Sequence, residues 1–272
     1  MISNDWSTDG KYYLNEDGEA VSGKQPIGNK LYYFGEGNVL VKGWFKIGEE
    51  IYYATHSDGS LATGTYDWGD NYYVYSKFTN LGAWSEDVLK DKSPSVYDST
   101  MNVRWHATKL VVQNGKRVPM LTVSAEHVPA SWEDSISEAI DLYNDSDLGV
   151  QLQLVTTESA DIIFTTESYN AAYTAVTDVK NESGVITQGF ITSAAINFLY
   201  LHADGDYTPG KWICAHEIGH ALGLRHPYET NVYNPDEDPG IYALMNQYEI
   251  SNYCCDTLQE YDYQQFEYTY PS

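Results

Sequence analysis

The sequence predicts an α+β protein: an all-β run of hairpin repeats over residues 1–80, a junction over 81–101, and a domain of mixed sheet and helix over 102–272. Three observations predict it. Tyrosine pairs recur at Tyr12-Tyr13, Tyr32-Tyr33, Tyr52-Tyr53 and Tyr72-Tyr73, a period of 20, and a period in this range marks a repeat architecture. Beyond the junction, apolar residues alternate in some segments and follow helical spacing in others. Finally, residues 216–226 read HEIGHALGLRH, a histidine-rich stretch with a glycine before its last turn.

Each repeat reads as a short aromatic hairpin, with turns such as Glu16-Asp17-Gly18 and Ser57-Asp58-Gly59. One hairpin cannot bury enough apolar surface to stand alone, but stacked neighbours can share a tyrosine-lined core. The junction is polar, carries Glu86, Asp87, Lys90, Asp91 and Lys92, and breaks at Pro94.

In the second domain Val118 to Ala125 suits a strand. Ser131 is placed to cap a helix over 132–144, with Glu133 and Asp134 in its first turn and Trp132, Ile136, Ala139, Ile140 and Tyr143 along one face. Val150, Leu152 and Leu154 alternate with Gln151 and Gln153, a half-buried strand, and Asp161 to Thr166 is another. Thr208 and Pro209 mark the start of the helix that carries the histidines. Thr257 and Glu260 form a capping-box pattern for a C-terminal helix.

On a helix, His216 and His220 project from one face, with Glu217 beside the first. That is the spacing of two zinc ligands with a carboxylate poised for proton transfer. His226 cannot join them on a straight helix, because six residues at about 1.5 Å each carry it about 9 Å too far. The chain must turn back, and Gly223 is the residue that can enter the left-handed region. The plainer alternative is a core helix whose histidines only satisfy hydrogen bonds.

The formal net charge is −24, from 39 acidic and 15 basic residues. Such a chain is repelled by nucleic acid and by anionic membranes, and no apolar run approaches the length of a membrane span. Three cysteines, Cys214, Cys254 and Cys255, are too few for a disulfide framework. His56, His106 and His127 read as turn or strand-end residues, and His202 with Asp204 and Asp206 as a solvated turn.

The pattern H-E-x-x-H-x-x-G-x-x-H over 216–226 resembles the metzincin signature, and Ala243-Leu244-Met245 resembles the methionine turn of its matrixin branch. The resemblance implies a metzincin-type domain, a twisted mixed sheet with a zinc helix and a C-terminal helix. It implies a zinc endopeptidase of the small bacterial matrixin-like kind, with His216, His220 and His226 as ligands and Glu217 as general base. Met245 would form the floor under the histidines, Tyr248 would stabilise an oxyanion, and Asp262 would be a buried aspartate. Residues 193–197 (SAAIN) look like the edge strand beside the cleft, where a protein or peptide substrate would pair. The eighteen-residue loop between His226 and Met245, which includes 235–239, is long for that family; it is a candidate to shape the primed side of the cleft or to bind calcium, with a plain surface loop as the alternative. Gly43-Trp44, followed by Tyr52-Tyr53 and Asp58-Gly59, resembles the cell-wall-binding repeats of Gram-positive surface proteins, choline- and glucan-binding modules among them. The second unit has Lys24 where that pattern has tryptophan. The repeats imply a secreted or surface-attached protein held by residues 6–80 to a wall polymer or glycan, its signal peptide not present in this chain. A wall-bound adhesin with an inactive protease-like domain is the competing expectation.

Overall fold

A computed structural model of the chain describes residues 4–70, 72, 74–90, 102–167, 175–199, 208–227, 243–246 and 257–272. The first part is all antiparallel. Strands β1 (Asp5–Trp6) and β2 (Tyr13–Leu14) pair, as do β3 (Gly23–Ile27) with β4 (Lys30–Phe34) and β5 (Gly43–Ile47) with β6 (Glu50–Ala54). A three-stranded sheet follows, β7 (Gly64–Asp67), β8 (Val74–Phe78) and β9 (Trp84–Leu89). The hairpin turns are the two-residue loops Gly28-Asn29 and Gly48-Glu49. The expected turns at 16–18 and 57–59 instead lie between hairpins, where Gly18 donates its N–H to Asn15 and Gly59 to Thr55. Both kinds of site carry turn residues, and the pairing register decides between them.

The tyrosines do what the repeat requires. Tyr52 and Tyr53 are buried, Tyr33 stacks on Phe45 at 4.9 Å, and Phe45 stacks on Tyr52 at 5.5 Å, so consecutive hairpins share aromatic faces. Trp44 packs against Tyr53, Trp68 and Phe78. Residues 84–89, expected in the junction, belong to β9, and 81–83 form the turn that leads into it; residues 91–101 of that junction lie outside the described residues.

The second part begins with β10 (Asn102–Trp105), β11 (Leu110–Gln113) and β12 (Lys116–His127), followed by helix α1 (Glu133–Asn144). Strands β13 (Gln151–Val155), β14 (Ile162–Glu167), β15 (Ala175–Asn181), β16 (Gly184–Val185), β17 (Gln188–Ile191) and β18 (Ser193–Leu199) follow, then helices α2 (Lys211–Ala221) and α3 (Glu260–Thr269). The main sheet runs β11-β12-β14-β18-β15-β16, with β13 also on β12. β12, β13, β14 and β18 are mutually parallel where they pair, and β15 is antiparallel to β18. Parallel neighbours need crossovers, and α1 supplies the one between β12 and β13. Ile162, Phe164, Ala194, Ile196 and Phe198 alternate on one face of the sheet and form a core with Trp132 just before α1, Ile136, Ala139 and Tyr143 of α1, and Cys214, Ala215, Ile218 and Ala221 of α2. α2 is buried on nearly all sides, unlike the amphipathic α1.

The structure corrects four expectations. The segment 193–197 is an interior strand, because β14 and β15 flank it on both sides; the edge position belongs to β15, which meets only the short β16 on its outer side among the described residues. Ser131 does not cap α1: it lies inside a 3-10 turn, Ala130–Trp132, that leads into the helix without a side-chain cap. α3 is capped by Gln259 and Asp262, two residues later than the Thr257-Glu260 pattern. α2 likewise starts after Gly210, just beyond Thr208 and Pro209.

Candidate metal centre

Helix α2 presents His216, Glu217 and His220, and its end is what brings in His226. Gly223 has φ +93° and donates to His220 O, while Leu224 N donates to Gly219 O. These two bonds form the Schellman pattern that reverses a chain at a helix C-terminus. A Cβ on Gly223 would stand 2.7 Å from Val103 O, so both backbone conformation and space require glycine here. The remaining carbonyls of the last turn are satisfied from outside, Ala221 O by Trp105 Nε1 and Leu222 O by Tyr270 Oη.

The three imidazoles then converge. His226 Nε2 lies 3.1 Å from His216 Nε2 and 3.0 Å from His220 Nε2. His216 Nδ1 is 2.8 Å from Leu244 O, and His220 Nδ1 is 2.9 Å from Leu224 O. A carbonyl only accepts, so each Nδ1 carries the proton and each Nε2 presents a lone pair to its neighbours. Burial holds His216 neutral, pushing its pKa down to about 3, with the charge of His220 acting in the same direction. Lone pairs this close repel unless a cation sits among them. Four ligands at 2.0–2.1 Å around zinc would hold nitrogens roughly 3.3 Å apart, close to what is found. The donor set therefore fits a divalent metal, and no other trio of metal-binding side chains occurs among the described residues.

Two elements far along the chain hold this arrangement. The turn Ala243-Leu244-Met245 is fully buried; its Leu244 carbonyl orients His216, and the N–H groups of Leu244 and Met245 donate to Asp262 of α3. Burial pushes the Asp262 carboxyl up to about 6, against three backbone N–H donors that pull it down. A Cβ on Gly219 would meet Met245 Sδ at 2.3 Å, so the methionine lies directly against the residue before His220. Gln265, also on α3, pins the residue before the third histidine: Oε1 accepts from Arg225 N at 2.9 Å and Nε2 donates to Arg225 O at 2.7 Å. Gln265 was legible in the sequence only as a helix residue.

Glu217 is buried beside His216, and its Oε2 accepts a hydrogen bond from Thr177 of β15. Burial raises its pKa, while His216, Thr177 and His226 act against that rise. Of the residues singled out by sequence, His216, Glu217, His220, Gly223, His226 and Met245 meet in one place. Tyr248, His202, Asp204, Asp206, Cys254, Cys255 and the 235–239 stretch lie outside the described residues. Cys214 is a free, buried thiol whose pKa burial pushes up to about 12, chemically quiet in that setting.

Trp44, the residue at the Gly-Trp position of the repeats, is buried. It is 3% exposed, its Nε1 donates to Pro271 O, and the guanidinium of Arg117 lies 5.2 Å from its ring. Lys24 is exposed but lies against the buried Tyr52, its Nζ 4.5 Å over the Tyr52 ring and 2.8 Å from Tyr52 Oη.

The dual-action HEIGH metallo-peptidase family profile matches residues 86–235. No curated protein matches the chain. Among solved structures the chain is similar to choline binding protein F from Streptococcus pneumoniae, at 28% identity over 36% of this chain and 32% of that one, with a TM-score of 0.28. It is also similar to CbpJ from the same organism, at 21% identity over 44% and 32% of the two chains and a TM-score of 0.28. A third is a multimodular pneumococcal cell wall endolysin from phage Cp-1, complexed with choline, at 24% identity over 35% and 28% and a TM-score of 0.25. This chain spans about a third of the length of these proteins.

Proposed function

The chain belongs to the dual-action HEIGH metallopeptidase family, and from that premise we propose that it is a zinc-dependent endopeptidase of the metzincin, matrixin-like kind. The observation that carries the reading is the convergence of three imidazoles, with His226 Nε2 3.1 Å from His216 Nε2 and 3.0 Å from His220 Nε2, beside a buried carboxylate. His216, His220 and His226 would hold the metal. Zinc bound there supplies Lewis acidity, which acidifies water and polarises a carbonyl.

Everything else falls to the protein. The carbonyls of Leu244 and Leu224 keep His216 and His220 in the tautomer that offers Nε2. Glu217 takes a proton from the attacking water at its carboxylate and returns it to the leaving amine. Burial raises its pKa, which favours holding that proton until the amine departs. A peptide substrate would lie along β15, whose outer side, among the described residues, is met only by β16 at Lys180 and Asn181 and by Ile186 N at Val179 O. That open edge offers main-chain donors and acceptors to an extended strand.

A second reading concerns the repeats. Residues 6–80 would hold the enzyme outside the cell to a wall polymer or glycan, with partly exposed aromatic residues such as Tyr12, Tyr13, Tyr33 and Phe45 as contacts. The recurrence of aromatic hairpins supports this, and a surface adhesin with a silent catalytic domain is the alternative. Glu217→Ala separates the two. It should keep zinc and any wall binding while casein or gelatin cleavage falls to background. A wild type that binds wall material and cleaves nothing favours the adhesin.

A further inference from the structure

Thr177 sits on β15, where Ala175, Thr177 and Val179 share the face turned to the core and Val179 is buried. Its Oγ1 lies 2.5 Å from Glu217 Oε2 and 3.1 Å from Glu217 O. A hydroxyl has one proton to give, and the carboxylate is the nearer and stronger acceptor. Among the described residues this is the only hydrogen-bond donor that the Glu217 carboxylate meets. The side chain it holds is 6% exposed, so losing that donor would leave a buried carboxylate free to rotate and short of a partner.

The contrast with the histidines is informative. His216 and His220 are oriented by backbone carbonyls, which no substitution removes. Glu217, unlike these two, depends on a side chain, and that side chain comes from another element, the edge strand along which the substrate is proposed to lie. We infer that Thr177 is a positioning residue that aims the Glu217 carboxylate from β15. The inference rests on the peptidase reading above and adds to it the residue that sets the orientation of the proton-transfer group.

The test compares Thr177→Val, nearly the same shape without the hydroxyl, with Thr177→Ser, which keeps the hydroxyl. Cleavage of a fluorogenic peptide gives kcat and KM, and zinc content with chelator competition reports the metal centre independently of turnover. Misplacing a general base by a fraction of an ångström predicts a kcat about 10- to 100-fold lower in Thr177→Val. KM should stay within about twofold, zinc affinity should be unchanged, and Thr177→Ser should recover kcat to within about threefold, since it restores the same donor. Should the valine variant fail to fold, Thr177→Ala carries the same expectation. Wild-type kcat in the variant without the hydroxyl overturns the inference and leaves the peptidase reading intact. So does a serine variant as slow as the valine one, or a loss traced wholly to zinc. A wild type that cleaves no peptide overturns both together.

Discussion

Asp87 Oδ2 lies 2.8 Å from Arg117 Nη1 and 3.5 Å from Arg104 Nη2, with all three side chains at most 3% exposed. This buried triad ties β9, the last strand of the repeat-side sheets, to β10 and β12 on the catalytic side. Ser76 Oγ and Trp84 Nε1 donate to the other oxygen, Oδ1, so the carboxylate is fully engaged. Breaking such a group leaves two uncompensated cations in the interior. Asp87→Asn should therefore destabilise the chain by about 3–5 kcal/mol in urea unfolding.

The same carboxylate sets an acid limit. Burial pushes its pKa up, but Arg104 and Arg117 outweigh that and hold it below the ordinary value. A lowered folded pKa contributes stability present above the unfolded pKa of about 3.9 and lost as pH falls through the folded value. Wild-type stability should decline below about pH 4 more steeply than that of Asp87→Asn. Parallel acid profiles would count against the triad.

The cations that lie against aromatic rings bear on ligand binding by the repeats. Arg117 lies 4.0 Å from the centre of the Trp84 ring and 5.2 Å from that of Trp44, and Lys24 covers Tyr52. These aromatic faces already hold the protein's own charges. Trp44→Ala should cost about 3–5 kcal/mol of stability. Trp44→Phe, which keeps a ring but loses the bond to Pro271 O, should cost about 1 kcal/mol and leave binding to wall material unchanged. Selective loss of wall binding in Trp44→Phe would make Trp44 a ligand contact after all.

Gly219→Ala places a methyl where Met245 Sδ now lies, at 2.3 Å. Overpacking of this kind costs about 1–3 kcal/mol, and here it also displaces the turn whose Leu244 carbonyl orients His216. Zinc affinity measured by chelator competition should fall with stability. Unchanged affinity would mean that the turn gives way without disturbing the histidine.

Asp262→Asn tests the support from α3. Its two oxygens accept from Leu244 N, Met245 N and Gln259 N. An amide would turn an NH2 toward at least one of those donors, leaving it unsatisfied at a cost of about 1–3 kcal/mol. Zinc release should be faster than in wild type, while Glu260→Gln, at the exposed first position of the same helix, should change nothing.

How much of this was legible depends on sequence separation. The two α2 histidines, Glu217 and the reversal at Gly223 follow from spacing within eleven residues, 216–226. Met245 and Asp262 were found through family resemblance, since nothing local links either to the histidines. β15 was invisible: AVTDVKN places apolar residues at 175, 176 and 179, which fits no clean alternation. The edge position expected for 193–197 rested on the family resemblance, and nothing local could test it, because sheet order is a non-local property. Thr177 was lost with β15, 40 residues from the carboxylate it touches. The tyrosine period revealed the hairpins but not their turns, since Glu16-Asp17-Gly18 and Gly28-Asn29 carry equally good turn chemistry.

Zinc titrated into metal-stripped protein, with casein cleavage followed at each addition, tests the central claim most directly. The account predicts that activity rises linearly and breaks at about one zinc per chain, the capacity of a single three-histidine site, while His226→Ala stays at background throughout. Cleavage indifferent to zinc, or full activity in His226→Ala, would contradict it.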